Sequence, residues 1–229
     1  KTDRFPINDG PTVNALHGFS LKQKMEIVNI KLLEKEAKVD LKFIYNGDIG
    51  AYPFPFSFQL GFSLSTNHTF IVEMKFTNTG QNHMPIGWGW HPYFKITEKV
   101  EELELQTPAL QMIGIDKCMI PTGKRYDYEE FTQMKKIGVS VLDNCFALKY
   151  PAEKAVFQLK SQVGTLQYWQ ESSPGKYPYV QLFTPPYRKS LAIEPMTCNV
   201  DAFNNHDNLI CLNPGESTVA RFGLEWMKG

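Results

Sequence analysis

Two proton-carrying side chains in this sequence are each followed by proline. In Leu191-Ala-Ile-Glu-Pro-Met-Thr-Cys-Asn-Val-Asp-Ala-Phe-Asn204 an apolar run ends in Glu194, fixed by Pro195. In Pro85-Ile-Gly-Trp-Gly-Trp-His-Pro-Tyr-Phe94, His91 is fixed in the same way by Pro92. A carboxylate at the end of an apolar run packs poorly into a core, because an unpaired buried charge is costly. Histidine is the side chain whose ordinary pKa lies nearest neutrality. Together they offer a general base and a general acid, each worth roughly 10²- to 10⁴-fold in rate when positioned. Each residue also has a plainer reading. Glu194 could be a strand-end carboxylate paired with a surface lysine such as Lys189. His91, among Trp88, Trp90, Tyr93 and Phe94, could be a packed histidine held by a backbone carbonyl, although such aromatics also suit a stacking surface.

The other histidines do not extend this pair into a metal site. His68 and His83 read as loop residues, and His206 follows Asn204-Asn205 in a polar turn. No HExxH, GxSxG or phosphate-cradling glycine loop is present, so zinc-dependent hydrolysis and a serine nucleophile are disfavoured. The pairs Lys124-Arg125 and Lys135-Lys136 read as solvated loop charges.

The elements that would position these residues are strands. Phe56, Phe58, Leu60, Phe62 and Leu64 alternate with polar or small residues, the period of a strand with one buried face. After a turn at Thr66 to Thr69 the alternation resumes with Phe70, Val72, Met74 and Phe76, which predicts a hairpin. Further strand signals lie at 39–45, 103–105, 156–159, 180–183 and 222–226. Turns are expected at Asn46-Gly-Asp48, Pro121-Thr-Gly123, Ser173-Pro-Gly175 and Asn213-Pro-Gly215. No long helix, repeat or linker-like stretch interrupts the pattern, so residues 1–229 are expected to form a single all-β domain, a large antiparallel sandwich.

Composition narrows the partners. The 229 residues carry 24 basic and 24 acidic side chains, so no net field draws the chain to nucleic acid or an anionic membrane. No apolar run reaches membrane-span length. Cys118, Cys145, Cys198 and Cys211 share no CxxC spacing, and a reduced, cytoplasmic setting is expected. The chain begins at Lys1 rather than methionine, which leaves a removed leader open.

Several motifs in one order carry a resemblance. Asp3-Arg-Phe-Pro6, Asn14-Ala-Leu-His-Gly-Phe19, Trp90-His-Pro-Tyr-Phe94, Leu142-Asp-Asn-Cys-Phe-Ala-Leu148, Ile193-Glu-Pro-Met-Thr-Cys-Asn-Val-Asp-Ala-Phe203 and Pro214-Gly-Glu-Ser217 together resemble the aldose 1-epimerase (galactose mutarotase) family. Family members usually carry a longer segment ahead of the arginine matching Arg4, so the resemblance implies a chain without the family's first strands. It implies a galactose-mutarotase-type supersandwich with a sugar across one sheet and no metal or nucleotide cofactor. By similarity, Glu194 is the base on the C1 hydroxyl and His91 the acid on the ring oxygen. His17 hydrogen-bonds near that oxygen, while Asp143 and Arg4 grip sugar hydroxyls. The expected partner is a small sugar, with the protein a monomer or homodimer. Hexose-6-phosphate mutarotases of similar sequence tend to place an arginine where Leu21 stands here, which favours an unphosphorylated hexose over a phosphosugar. A noncatalytic sugar-binding module is the rival from another class, since a fold alone never fixes activity. A purely structural sandwich is a third reading.

Overall fold

The computed structural model describes His17, Gly18, Ser20 and residues 23–229. Arg4 and Leu21 lie outside the described residues. Seventeen strands make up most of the described chain, with one four-residue helix, α1 (Ala202–Asn205), and a 3-10 turn at Val100–Glu102.

A nine-stranded sheet runs in the order β1-β2-β3-β4-β17-β13-β12-β7-β10. Its strands are β1 (Glu26–Leu32), β2 (Glu36–Tyr45), β3 (Phe56–Ser65), β4 (Thr69–Asn78), β7 (Glu104–Gln106), β10 (Lys135–Lys136), β12 (Lys154–Ser161), β13 (Gly164–Glu171) and β17 (Ser217–Lys228). A six-stranded sheet runs β6-β15-β14-β11-β8-β9. It is built from β6 (Tyr93–Phe94), β8 (Leu110–Ile115), β9 (Pro121–Tyr128), β11 (Asp143–Leu148), β14 (Tyr179–Phe183) and β15 (Leu191–Met196). A short ribbon pairs β5 (Met84–Ile86) with β16 (Ile210–Leu212). All named pairings are antiparallel, so the neighbours can be joined by short turns.

The predicted hairpin is β3–β4, with Phe58 opposite Phe76 and Leu60 opposite Met74. The two large sheets share one apolar cluster: Phe58, Leu60, Met74 and Phe222 from the wider sheet meet Phe146, Val180, Leu182 and Ile193 from the narrower one. Full burial of a side chain of this size contributes roughly 1.5–3 kcal/mol. Burial along β3 nevertheless fades, from Phe56 at 2% exposure to Leu64 at 55%. The expected continuous buried face of this strand is therefore only half realised. The nine-stranded layer is wider than the six-stranded one, and Ile27, Ile30 and Leu32 on β1 are likewise exposed.

Two local expectations are corrected. Pro121-Thr-Gly123 is not a turn but the start of β9. That strand forms an edge of the six-stranded sheet, where the first residue needs no amide donor and a proline is tolerated. Lys124-Arg125 lies on the same strand, and Arg125 is ion-paired with Asp207 rather than a free loop charge. Lys135-Lys136 likewise forms β10, and Lys135 pairs with Glu130.

Candidate active site

Strand alternation decides which side chains leave the core. On β15, Leu191 and Ile193 join the shared apolar cluster, so Ala192, Glu194 and Met196 point to the opposite face. On β14, Val180 and Leu182 face the core, while Tyr179, Gln181 and Phe183 share the face of Glu194. Gln181 stands directly across from Glu194 in the register. One strand further, the Gln181 amide donates to Asp143 Oδ1 at 3.2 Å. Asp143 opens β11 opposite Phe183.

On its other side Glu194 is reached by the segment carrying His91. Ribbon β5–β16 fixes the chain up to Ile86. The backbone then runs antiparallel to β15 and its extension: Trp90 N–H donates to Pro195 O at 3.2 Å, and Thr197 N–H to Trp88 O at 3.0 Å. Beyond Pro92 the pairing resumes, with Tyr93 opposite Ala192 and Gly89 bridged to Met196 on the near side. That register, carried across Pro92, sets His91 against Glu194. The ladder opens at this point because proline has no amide to donate.

The glycines of Gly87-Trp-Gly-Trp90 explain how this approach is possible. A Cβ at Gly89 would lie 2.7 Å from Pro195 O, and one at Gly87 would collide with Cys198 Sγ. The tryptophans between them are pegs. Trp88 is buried and donates from Nε1 to Tyr177 Oη at 3.2 Å, while Trp90 packs on Phe62 and Phe222. Phe94 is also in the core. The expected stacking surface thus reduces to Tyr93, which is half exposed and stacks on His91 with centroids 4.7 Å apart.

His91 Nε2 lies 3.2 Å from Glu194 Oε1 and 3.5 Å from Tyr93 Oη. Glu194 is thus paired with His91 and not with Lys189. Among the described residues the buried Nδ1 of His91 has no side-chain hydrogen-bond partner, and its backbone contact is with its own residue. His17, whose backbone is left-handed at φ 60°, sets its ring edge-on to His91 at 5.4 Å. The structure therefore brings together Glu194, His91, His17 and Asp143 of the sequence-predicted residues, keeps Tyr93 of the expected stacking aromatics, and adds Gln181. Gln181 had one sequence signal, a polar residue at the outward position of an alternating strand.

Electrostatics sharpen the pair. Burial, followed by the Asp143 carboxylate, pushes Glu194 up to about 8. Burial also raises Asp143, although the Gln181 hydrogen bond opposes this. Burial, followed by His17, lowers His91. Both shifts favour the uncharged carboxyl and imidazole, the form of the pair that holds one proton. Moving it across 3.2 Å creates a carboxylate and an imidazolium without changing the proton count. No group of three or more His, Cys, Asp or Glu suited to a metal ion occurs among the described residues.

The antiparallel sheets have the fold of solved galactose mutarotase-like proteins. The chain is similar to a galactose mutarotase-like protein from Clostridium acetobutylicum, at 20% identity and a TM-score of 0.85, covering 99% of this chain and 73% of that one. It is also similar to the galactose 1-epimerase of Lactobacillus acidophilus NCFM, at 18% identity and a TM-score of 0.79, with the same two coverages, 99% and 73%. Among curated sequences, the uncharacterized protein YihR of Escherichia coli (strain K12) is 28% identical over 226 residues, 93% of this chain and 68% of that protein. The aldose 1-epimerase family model matches residues 1–225, and the chain belongs to that family.

Proposed function

We propose that this protein is an aldose 1-epimerase acting on a free, unphosphorylated hexose such as glucose or galactose. The observation that carries the reading is the 3.2 Å contact between His91 Nε2 and Glu194 Oε1 at the point where the strand ladder opens. Glu194, as carboxylate, takes the proton from the C1 hydroxyl while His91, as imidazolium, protonates the ring oxygen. The C1–O5 bond breaks, the electron pair leaves with O5, and C1 becomes an aldehyde. Rotation about C1–C2 exposes the other face of the carbonyl. The O5 hydroxyl then adds to it, returning its proton to His91 while the new C1 oxygen regains one from Glu194. The pair ends as it began, so no cofactor is consumed.

Asp143 and Arg4 bind sugar hydroxyls in this scheme, and His17 orients the ring oxygen beside His91. Gln181 ties Asp143 to the strand face of Glu194. The half-exposed ring of Tyr93 offers an apolar surface for one face of the pyranose. Polarimetry of freshly dissolved α-glucose, α-galactose and glucose 6-phosphate tests the proposal. Faster relaxation of a free hexose supports it. Acceleration of the phosphosugar alone moves the substrate to the phosphorylated class, and binding without acceleration favours the noncatalytic module.

A further inference from the structure

Arg188 touches neither Glu194 nor His91, yet its guanidinium joins the chain segments leading into the two carboxylates. It sits in the Pro185-Pro-Tyr-Arg188 turn between β14 and β15, six residues before Glu194, with left-handed backbone at φ 48°. The turn is fixed by its own amide, which donates to Pro185 O at 2.8 Å, and by Val100 N–H, which donates to Arg188 O at 3.0 Å. From this position Nε donates to Glu101 Oε1 at 2.5 Å, one terminal nitrogen to Ser140 O at 3.2 Å and the other to Gly138 O at 2.7 Å.

The segment it holds leads straight into Asp143. Ile137 and Leu142 are buried at its ends, but Val139 is 92% and Val141 73% exposed. Apolar burial therefore fixes only the ends. Between them, the Arg188 bonds to two carbonyls act with the amide bonds of Gly138 to Glu101 O at 3.2 Å and of Ser140 to Ile137 O at 3.1 Å, and with the Ser140 Oγ bond to Glu130 at 3.0 Å, to hold the course of the backbone. Leu142 is tied in turn to Thr184, at the start of the same turn, through its amide at 2.9 Å and its carbonyl at 2.8 Å.

We propose that Arg188 is a positioning residue that sets Asp143 relative to Glu194 and so sets the grip on the sugar hydroxyls. The inference rests on the epimerase reading. A lysine cannot replace this clamp, because a single ammonium lacks the planar fork that reaches a carboxylate and two carbonyls together.

The test is a steady-state comparison of the wild type, Arg188→Ala, Arg188→Lys, Asp143→Asn and the Arg188→Ala/Asp143→Asn double variant, with Tm measured for each. The lysine variant keeps the charge and stands in if the alanine variant does not fold. Loss of substrate grip predicts KM raised about 10-fold with kcat within about 3-fold of the wild type for both Arg188 variants. The double variant should match Asp143→Asn alone, because residues acting through one contact are not additive. An unchanged KM, or losses that add fully in the double variant, overturns the role of Arg188 while the epimerase reading stands. Absence of turnover in the wild type overturns the epimerase reading, and this inference falls with it.

Discussion

Two carboxylates on the outer face of the six-stranded sheet are treated in opposite ways. Asp207, in the segment after α1, receives both its oxygens' bonds from Arg125, at 3.1 and 2.9 Å, together with Tyr179 Oη at 2.6 Å and Asn199 Nδ2 at 2.9 Å. Burial alone would raise it, but the bonds from Tyr179, Asn199 and Arg125 outweigh that and hold it below the usual carboxylate value. Among the described residues Glu194 has one side-chain partner, the His91 ring. It is pushed up to about 8. A fully satisfied carboxylate pins a loop, whereas an under-satisfied one is left poised to exchange a proton. Perturbed ionisation of this kind marks functional sites more often than structural ones.

The contrast is broken most forcefully at Glu194. Glu194→Gln keeps the shape and removes the base, and should slow anomer interconversion about 10³-fold with the fold intact, measured by polarimetry and circular dichroism. His91→Gln should cost about 10²-fold, since water can supply part of the acid's role. In the other region, Asp207→Ala removes the acceptor of Arg125, Tyr179 and Asn199 and should lower stability by about 1 kcal/mol in denaturant melts, because these donors are only partly buried and water replaces part of what is lost. Its effect on turnover should be the smaller one.

Acidity sharpens the comparison further. If the reactive form is the singly protonated pair, kcat/KM should follow a bell. It falls above about 8 as the pair loses its proton, and falls again at low pH, below the ordinary histidine value of 6.5, as the pair gains a second. If Glu194 acted as base without an acid partner, activity would instead keep rising through 8. The stability signs are also opposite. The folded state holds the Glu194 proton more tightly than the unfolded chain, whose value is near 4.5, so stability falls as pH rises from 4.5 to about 8. Asp207 is depressed below 3.8, so its contribution is present above that value and is lost as pH falls through the depressed one. Melts across pH should show Glu194→Gln flattening the upper decline and Asp207→Asn flattening the acid loss. These are the smallest of the expected effects.

Much of the frame was legible in the residues. The period-2 runs at 56–64 and 70–76 define a hairpin because side-chain alternation is local to a strand. The Glu-Pro and His-Pro segments stood out because each sets a titratable group in an apolar run and fixes the backbone beside it. What alternation cannot convey is the identity of the neighbouring strand. The direct pairing of Gln181 with Glu194, the core destinations of Trp88 and Trp90, and the exposure of Leu64 all depend on which layer lies opposite. The ion pair of Arg125 is hidden for the same reason: Asp207 is far away in sequence, and only the fold brings it to 2.9 Å.

The most direct measurement is the exchange rate between the α and β anomers of glucose and galactose, followed by NMR with the wild type, Glu194→Gln and Asp207→Asn side by side. Fast exchange in the wild type and in folded Asp207→Asn, with loss only in Glu194→Gln, is the predicted result. Undiminished exchange in Glu194→Gln would contradict the assignment of proton transfer to the Glu194–His91 pair.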